Sequence, residues 1–285
     1  MKNAPFVITD YSDNLTLDEG FFRPRRVNAI SYPADGNDIC FDLEDRSFWF
    51  MHRNGCIISL AKKYVKDTPF FDIGGGNGFV AKGLEDHGIP ACLIEPGTHG
   101  CAHARKRGLS RVICSDWEGA GFKESSIPSA GLFDVIEHIE KDVDFLRQIH
   151  RSMAPGGVLL VTAPAYRFLW SNEDDVVGHF RRHTVDGLKK TLGDAGFDIV
   201  YSTYLFSFLV VPIFLFRTIP NMLGLAKSGL KKNRKEHHAG NKGIIKTILT
   251  RMVSMEMKRI KKGRAIPFGS SCLVVTRKAK NTSET

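Results

Sequence analysis

No stretch of this 285-residue chain holds enough apolar residues to cross a bilayer. The most apolar window, Leu205–Phe216 (LFSFLVVPIFLF), has only 12 residues and is interrupted by Pro212. The six cysteines, at positions 40, 56, 92, 101, 114 and 272, form no CxxC pair and no disulfide-like spacing. That excludes a disulfide-stapled miniprotein and predicts reduced thiols in a cytosolic protein, several buried as small hydrophobes. The opening MKNAPFVITDYSDNL lacks a basic stretch followed by an apolar run, so no signal peptide is expected. No internal repeat is visible, and no metal is expected. Acidic residues are nearly missing from one segment: residues 217–264 hold 14 Lys+Arg and only Glu236 and Glu256, a net of +12. The rest of the chain, 26 basic and 29 acidic residues, is at −3, so this segment supplies the whole net charge of +9.

What is present is the material of a sizeable core. A 42% hydrophobic, 25% charged composition excludes a disordered or collagen-like chain. Short apolar runs alternate with helical patterns, which predicts a parallel α/β sheet with helices on both faces. Strands are predicted at 69–73, 91–95, 111–115, 129–133, 158–163, 198–204 and 272–277. Helices are predicted at 47–65, 79–87, 99–107, 141–152 and 184–195, with Gly88-Ile89-Pro90 and Pro155-Gly156-Gly157 as turns. Residues 1–46 read as an N-terminal arm outside this rhythm, and 47–204 as the core. Residues 205–268 form an insert ahead of the last strand, in which Ile245, Leu249, Val253, Met257 and Ile260 mark a basic amphipathic helix. Residues 269–285 carry the last strand and a tail.

The most informative stretch is residues 70–78, FFDIGGGNG: an apolar strand ends in an acid and runs into a glycine-rich turn before a helix. Glycines there let the backbone approach a ligand, and the helix start offers free N–H groups. Alone, such a turn also suits a dinucleotide site or a tight turn with no ligand. The following strand ends in Glu95, where a carboxylate would accept ribose hydroxyls. The next ends in Ser115-Asp116-Trp117, where an acid and an apolar surface would suit an adenine ring. Phe133-Asp134-Val135-Ile136-Glu137-His138 follows the fourth strand.

With four such elements in order, the chain resembles the class I S-adenosylmethionine-dependent methyltransferases, of the broad group that includes ubiquinone-type and small-molecule enzymes. The likeness covers roughly 45–204 and the last strand. It implies a Rossmann-like, seven-stranded, mostly parallel sheet whose last strand is antiparallel. It also implies S-adenosyl-L-methionine as cofactor, with Asp72, Gly74, Gly75 and Gly76 at its methionine part, Glu95 on the ribose, Asp116 and Trp117 around the adenine, and Asp134 close by. Asn77 replaces a frequent Thr or Ser, and Ile127-Pro128-Ser129-Ala130 stands where a Phe-Asp pair commonly begins the fourth strand. A narrower likeness, in Ser47–Asn54 (SFWFMHRN) and Gly178–Thr184 (GHFRRHT), is to bacterial methyltransferase-like proteins often associated with glycan or lipid-linked sugar pathways.

Methyl transfer needs alignment and exclusion of water more than a catalytic group. Arg53 is a candidate clamp for the cofactor carboxylate, or else a solvated helix-face arginine. Trp49, between Phe48 and Phe50, is either a pocket wall or core. After the fifth strand, Tyr166 and Trp170 are candidates to line the acceptor. Arg181 and Arg182 would hold an anionic group, and His179 would be a base or a structural histidine. Thr184 reads as a helix cap, and Glu137 with His138 as packing and capping. The insert reads as a cap with peripheral membrane contact through 205–264, as a purely structural cap or dimer face, or, less favoured, as a nucleic-acid surface around Lys231, Lys232, Arg234 and Lys235. The expected enzyme is cytoplasmic, with a peripheral place at the inner membrane face as a further reading, and acts on a small or lipid-linked acceptor. A non-catalytic scaffold and an RNA methyltransferase are the alternatives.

Overall fold

The computed structural model describes residues 6–25, 35–223 and 244–280. Lys231, Lys232, Arg234 and Lys235 lie outside the described residues.

All seven predicted strands form, and two more join them. The nine strands are β1 (Leu15–Asp18), β2 (Phe21–Pro24), β3 (Phe70–Ile73), β4 (Ala91–Ile94), β5 (Val112–Ile113), β6 (Ile127–Phe133), β7 (Met153–Pro164), β8 (Phe197–Leu205) and β9 (Ser271–Lys278). They lie in the order β1-β2-β5-β4-β3-β6-β7-β9-β8. From β2 to β7 the pairings are parallel, while β9 is antiparallel to both β7 and β8. Part of the arm therefore belongs to the sheet, a correction to the seven-strand expectation: β1 and β2 form a hairpin, and β2 extends the edge through Phe22 beside Ile113. At the start of β6, where Ile127-Pro128 replaces the usual pair, the register against β7 shifts between Ile127 and Ser129. Proline cannot donate to a ladder, which places the irregularity there.

Helices α1 (Asp35–Glu44), α2 (Phe48–Tyr64), α3 (Phe79–Glu85), α4 (Thr98–Lys106), α5 (Trp117–Ala120), α6 (Asp142–Ser152), α7 (Asn172–Val176) and α8 (Val185–Asp194) connect the strands. Ser47 caps α2 by accepting from the Trp49 amide, and Thr184 caps α8 by accepting from Gly187. Alternate strand residues feed two apolar cores: Phe71, Cys92, Leu132 and Val161 are in one, and Phe70, Leu93, Leu160 and Val275 in the other. None of the six cysteines is in a disulfide, and Cys56, Cys92, Cys101 and Cys272 are buried.

In the insert, the long helix Ile244–Lys261 packs on α2 through Met257 and Ile260. Its acid, Glu256, is buried and accepts from His52 Nε2 (2.9 Å) and from the amides of Phe206 (2.6 Å) and Ser207 (3.1 Å). The apolar window becomes short helical turns, with Phe206 fully buried but Val211, Leu215 and Phe216 exposed. Among the described residues, no helix is long and apolar enough to cross a membrane.

Candidate active site

The strand order reverses at β3, between β4 and β6, so a crevice opens at the carboxyl ends of these strands. β3 delivers Asp72 there, fully buried. Its Oδ2 accepts from the Ala81 amide (3.1 Å), while Oδ1 has no hydrogen-bond partner. Burial pushes this carboxyl up to about 7, against the opposing pull of the Ala81 amide and the Arg53 charge. The turn that follows uses positive φ at Gly74 (67°), Gly76 (55°) and Gly78 (74°). A side chain at Gly75 would lie 2.4 Å from Asp72 Oδ2. Glu95, just after β4, folds back on the same loop and accepts from the amides of Gly76 (2.9 Å) and Gly97 (2.8 Å). Asn77 bonds Glu44 of α1 (3.3 Å) and His103 of α4 (2.9 Å), while Arg107 pairs with Glu44 at 2.7 Å. This link between the arm and the glycine loop carried no signal in the sequence beyond an unusual Asn.

Asp116 follows β5 and caps α5, accepting from the Gly119 amide at 2.6 Å. Trp117 is buried against Phe122, ring centroids 4.5 Å apart. These two thus have structural partners at the place where an adenine was expected, and the neighbouring Ser115 hydroxyl is buried with none.

The other half of the crevice is built from ion pairs. Asp134, after β6, is held in a left-handed conformation (φ 58°), hydrogen-bonded by Arg53 and by Thr162 Oγ1 (3.1 Å). Arg53 is buried rather than solvated, lies over Trp49 at 4.7 Å, and keeps a buried Nε without a partner. Trp49 is half-buried and stacks on Phe206 at 5.4 Å. Glu137 and His138 sit on a single helical turn, Ile136–His138, and α6 begins only at Asp142, so neither caps that helix as the sequence suggested. Glu137 is buried with Oε2 unpartnered; burial first, and the nearby Asp134 charge second, push its carboxyl well above the usual range.

The loop leaving β7 carries the expected acceptor residues. Tyr166 stacks on Phe168 and Tyr204, each at 5.2 Å, and Trp170 donates to Asp175 at 3.0 Å. The centre of this loop is Asp174, the middle acid of the run Glu173-Asp174-Asp175. It is 1% exposed and accepts from Ser171 N (2.9 Å), His179 Nδ1 (2.8 Å), Arg182 Nε (2.8 Å) and Arg182 Nη2 (3.0 Å). Burial would raise this carboxyl, yet the bonds from His179, Arg182 and Ser171 together hold it well below the ordinary range. Arg217 of the insert reaches the hub through Ser171 Oγ (2.8 Å) and Glu173 (2.8 Å). His179 therefore turns Nε2 towards Glu137, 3.9 Å away. Arg181 and Arg182 are not an open anion fork. Arg181 is engaged by Asp142 (2.5 Å) and the Glu140 carbonyl (2.5 Å), and Arg182 by Asp174 and the Ala165 carbonyl (3.1 Å).

Comparison with known proteins gives the family and the fold. Residues 57–202, which are 146 of the 285, match the family described as "Methyltransferase domain". A protein of Mycolicibacterium smegmatis named "Probable S-adenosylmethionine-dependent methyltransferase" is 24% identical over 183 residues, 62% of this chain and 69% of that one. Among solved structures, Haemonchus contortus phosphoethanolamine N-methyltransferase 2 in complex with S-adenosyl-L-methionine superposes with a TM-score of 0.54. That match has 15% identity and covers 91% of this chain and 62% of the other. The [4+2]-cyclase SpnF superposes with a TM-score of 0.51 at 20% identity, covering 82% and 83%. A crevice of buried strand-end acids around a glycine turn, on this sheet and with this family match, identifies the chain as a member of the methyltransferase-domain family and a class I S-adenosylmethionine-dependent methyltransferase.

Proposed function

We propose that S-adenosyl-L-methionine is held by Asp72, Gly74, Gly75, Gly76, Glu95, Asp116, Trp117, Asp134 and Arg53, and that the methyl acceptor is a small or lipid-linked molecule. The observation that carries the first part is Asp72. A buried polar atom without a partner costs about 1–3 kcal/mol, and Asp72 Oδ1 is such an atom, beside a Gly75 with no room for a side chain. A cationic amino-acid sulfonium is the kind of ligand that relieves it. Bound there, the cofactor supplies an electrophilic methyl group. Glu95, held at the glycine loop by the Gly76 and Gly97 amides, stands at the strand end where a carboxylate would meet ribose hydroxyls, and the buried Arg53 Nε is a donor for a carboxylate.

On the acceptor side, Asp174 fixes the His179 ring and leaves Nε2 to receive a proton. Trp49, Tyr166 and Trp170 supply apolar walls. Arg181 and Arg182 act here by holding this loop to Asp142 and Asp174 rather than by gripping an anion directly. A lipid-linked acceptor is supported by the exposed Val211, Leu215, Phe216, Met222 and Leu223. Phe214 of the same segment contacts Phe168 of the acceptor loop at 5.9 Å. Exposed Arg251, Lys258, Arg259 and Lys261 on the insert helix, and Lys262 just after it, suit anionic headgroups.

The test is calorimetry with S-adenosylhomocysteine. Binding by the wild type, weakened at least tenfold in Asp72→Asn and Glu95→Gln, supports the donor assignment, and no binding by the wild type overturns it. Flotation with anionic vesicles addresses the lipid part: wild-type binding lost in Phe216→Ser supports it, and no wild-type binding overturns it.

A further inference from the structure

The turns after β6 and β7 bring three ligand-type side chains together. One ligand atom each from Glu137, His138 and His179 lies within 4.8 Å of the others. Glu137 Oε1 and His179 Nε2 are 3.9 Å apart. Two ligands each ~2.1 Å from one tetrahedral ion stand ~3.4 Å apart, and at most ~4.2 Å in any geometry, so this pair is close to metal-ligand separation. The widest pair, at up to 4.8 Å, reaches tetrahedral spacing by closing up to ~1.4 Å.

The surroundings are those of a built site. Glu137 is 1% exposed and its Oε2 has no hydrogen-bond partner. The His179 imidazole is oriented from behind, Asp174 taking Nδ1 at 2.8 Å, and the His138 ring faces the backbone of Val177 and Gly178. A carboxylate behind a ligating histidine sets its tautomer and raises its basicity. The local charges also leave a place for a cation. Asp134 is neutralised by Arg53 and Asp174 by Arg182, whereas Glu137 has only His179 within ion-pair reach among the described residues.

We propose that Glu137, His138 and His179 bind a divalent transition-metal ion of the zinc type, with open coordination positions towards the acceptor. Two imidazoles and one carboxylate suit such an ion better than Mg²⁺ or Ca²⁺, which favour all-oxygen sites. The ion occupies His179 Nε2, so the loaded protein has no free base at that atom and the acceptor's heteroatom meets the metal instead. The site was not legible in the sequence, where Glu137 and His138 read as capping and His179 stands far along the chain, beyond β7.

The experiment is a titration of the full chain with Co²⁺, followed by its visible absorbance, and with Zn²⁺, followed by calorimetry. Both are run without acceptor or cofactor, so the result stands apart from the methyl-transfer assignments. One ion per chain with micromolar or tighter affinity is expected. Glu137→Gln and His179→Gln should each weaken binding at least tenfold, and Asp174→Asn about tenfold. Circular dichroism and a cooperative thermal transition establish that each variant is folded. Should a variant fail to fold, the Zn²⁺-induced rise in wild-type Tm, and its absence in His138→Gln, carries the test. Saturation only at millimolar ion, or equal affinity in folded Glu137→Gln, His138→Gln and His179→Gln, overturns the proposal.

Discussion

The two halves of the crevice handle buried charge in opposite ways. Around β3 and β4, Asp72 is met by a backbone amide alone, has no ion-pair partner among the described residues, and leaves one oxygen unsatisfied. Around β6 and β7, Asp134 and Asp174 are each closed by an arginine, and Asp174 takes four further hydrogen-bond or ionic approaches from Ser171, His179 and Arg217. The first half is incomplete by itself and complementary to a cationic ligand. Apart from Glu137 Oε2 and Arg53 Nε, the second is satisfied internally, which fixes the loop after β7. Removing an acid should therefore cost binding in the first half and stability in the second.

Asp174→Ala should give the largest effect. It strands Arg182, whose side chain is 7% exposed, without its counter-ion, and breaking such a pair costs about 3–5 kcal/mol. Urea unfolding measures it; a loss under 1 kcal/mol would break the contrast. Asp72→Asn should do the reverse. Its carboxyl titrates near 7 when folded, against an ordinary value of 3.8. The raised value means that Asp72 favours the fold below the lower value, and that this advantage is lost as pH rises through about 7. Above pH 7 the ionised form costs roughly 4 kcal/mol as an upper figure. Asp72→Asn should accordingly raise Tm at pH 8 while weakening cofactor binding about 10- to 100-fold, as befits one lost charged hydrogen bond. A lower Tm at pH 8 would contradict the assignment.

The same titration predicts that wild-type affinity for S-adenosyl-L-methionine increases several-fold from pH 6 to pH 8, with the slope absent in Asp72→Asn. Calorimetry across that range decides it. The smallest effects belong to the insert. Glu256→Gln, which weakens a buried bond to His52 and two amide bonds, should cost about 1–2 kcal/mol and leave cofactor affinity unchanged. Phe216→Ser, at a side chain 77% exposed, should change stability by less than about 0.5 kcal/mol.

The donor half was largely readable because its geometry is local. A strand, an acid and positive-φ glycines occupy nine consecutive residues, and parallel β-α alternation places Glu95 and Asp116 at neighbouring strand ends. The acceptor half was not, because its partners are distant in the chain. Glu137 meets His179, Arg53 meets Asp134, and Arg217 meets Ser171. Nothing in the run Glu173-Asp174-Asp175 marks the middle acid as the buried one. The edge strands were missed for a related reason: β1 and β2 have four residues each and show no clean alternation, so only pairing with Ile113 reveals them.

Arg217 ties the insert to the loop that orients His179. Docking of the insert and setting of that imidazole are thereby one linked equilibrium, and linkage is reciprocal. A surface or molecule that draws the insert away from Ser171 and Glu173 loosens the acceptor side by the same free energy with which an acceptor settled against His179 holds the insert down. Acceptor affinity and vesicle affinity, measured on one protein, should thus shift each other by a common factor, and Arg217→Ala should remove that factor from both.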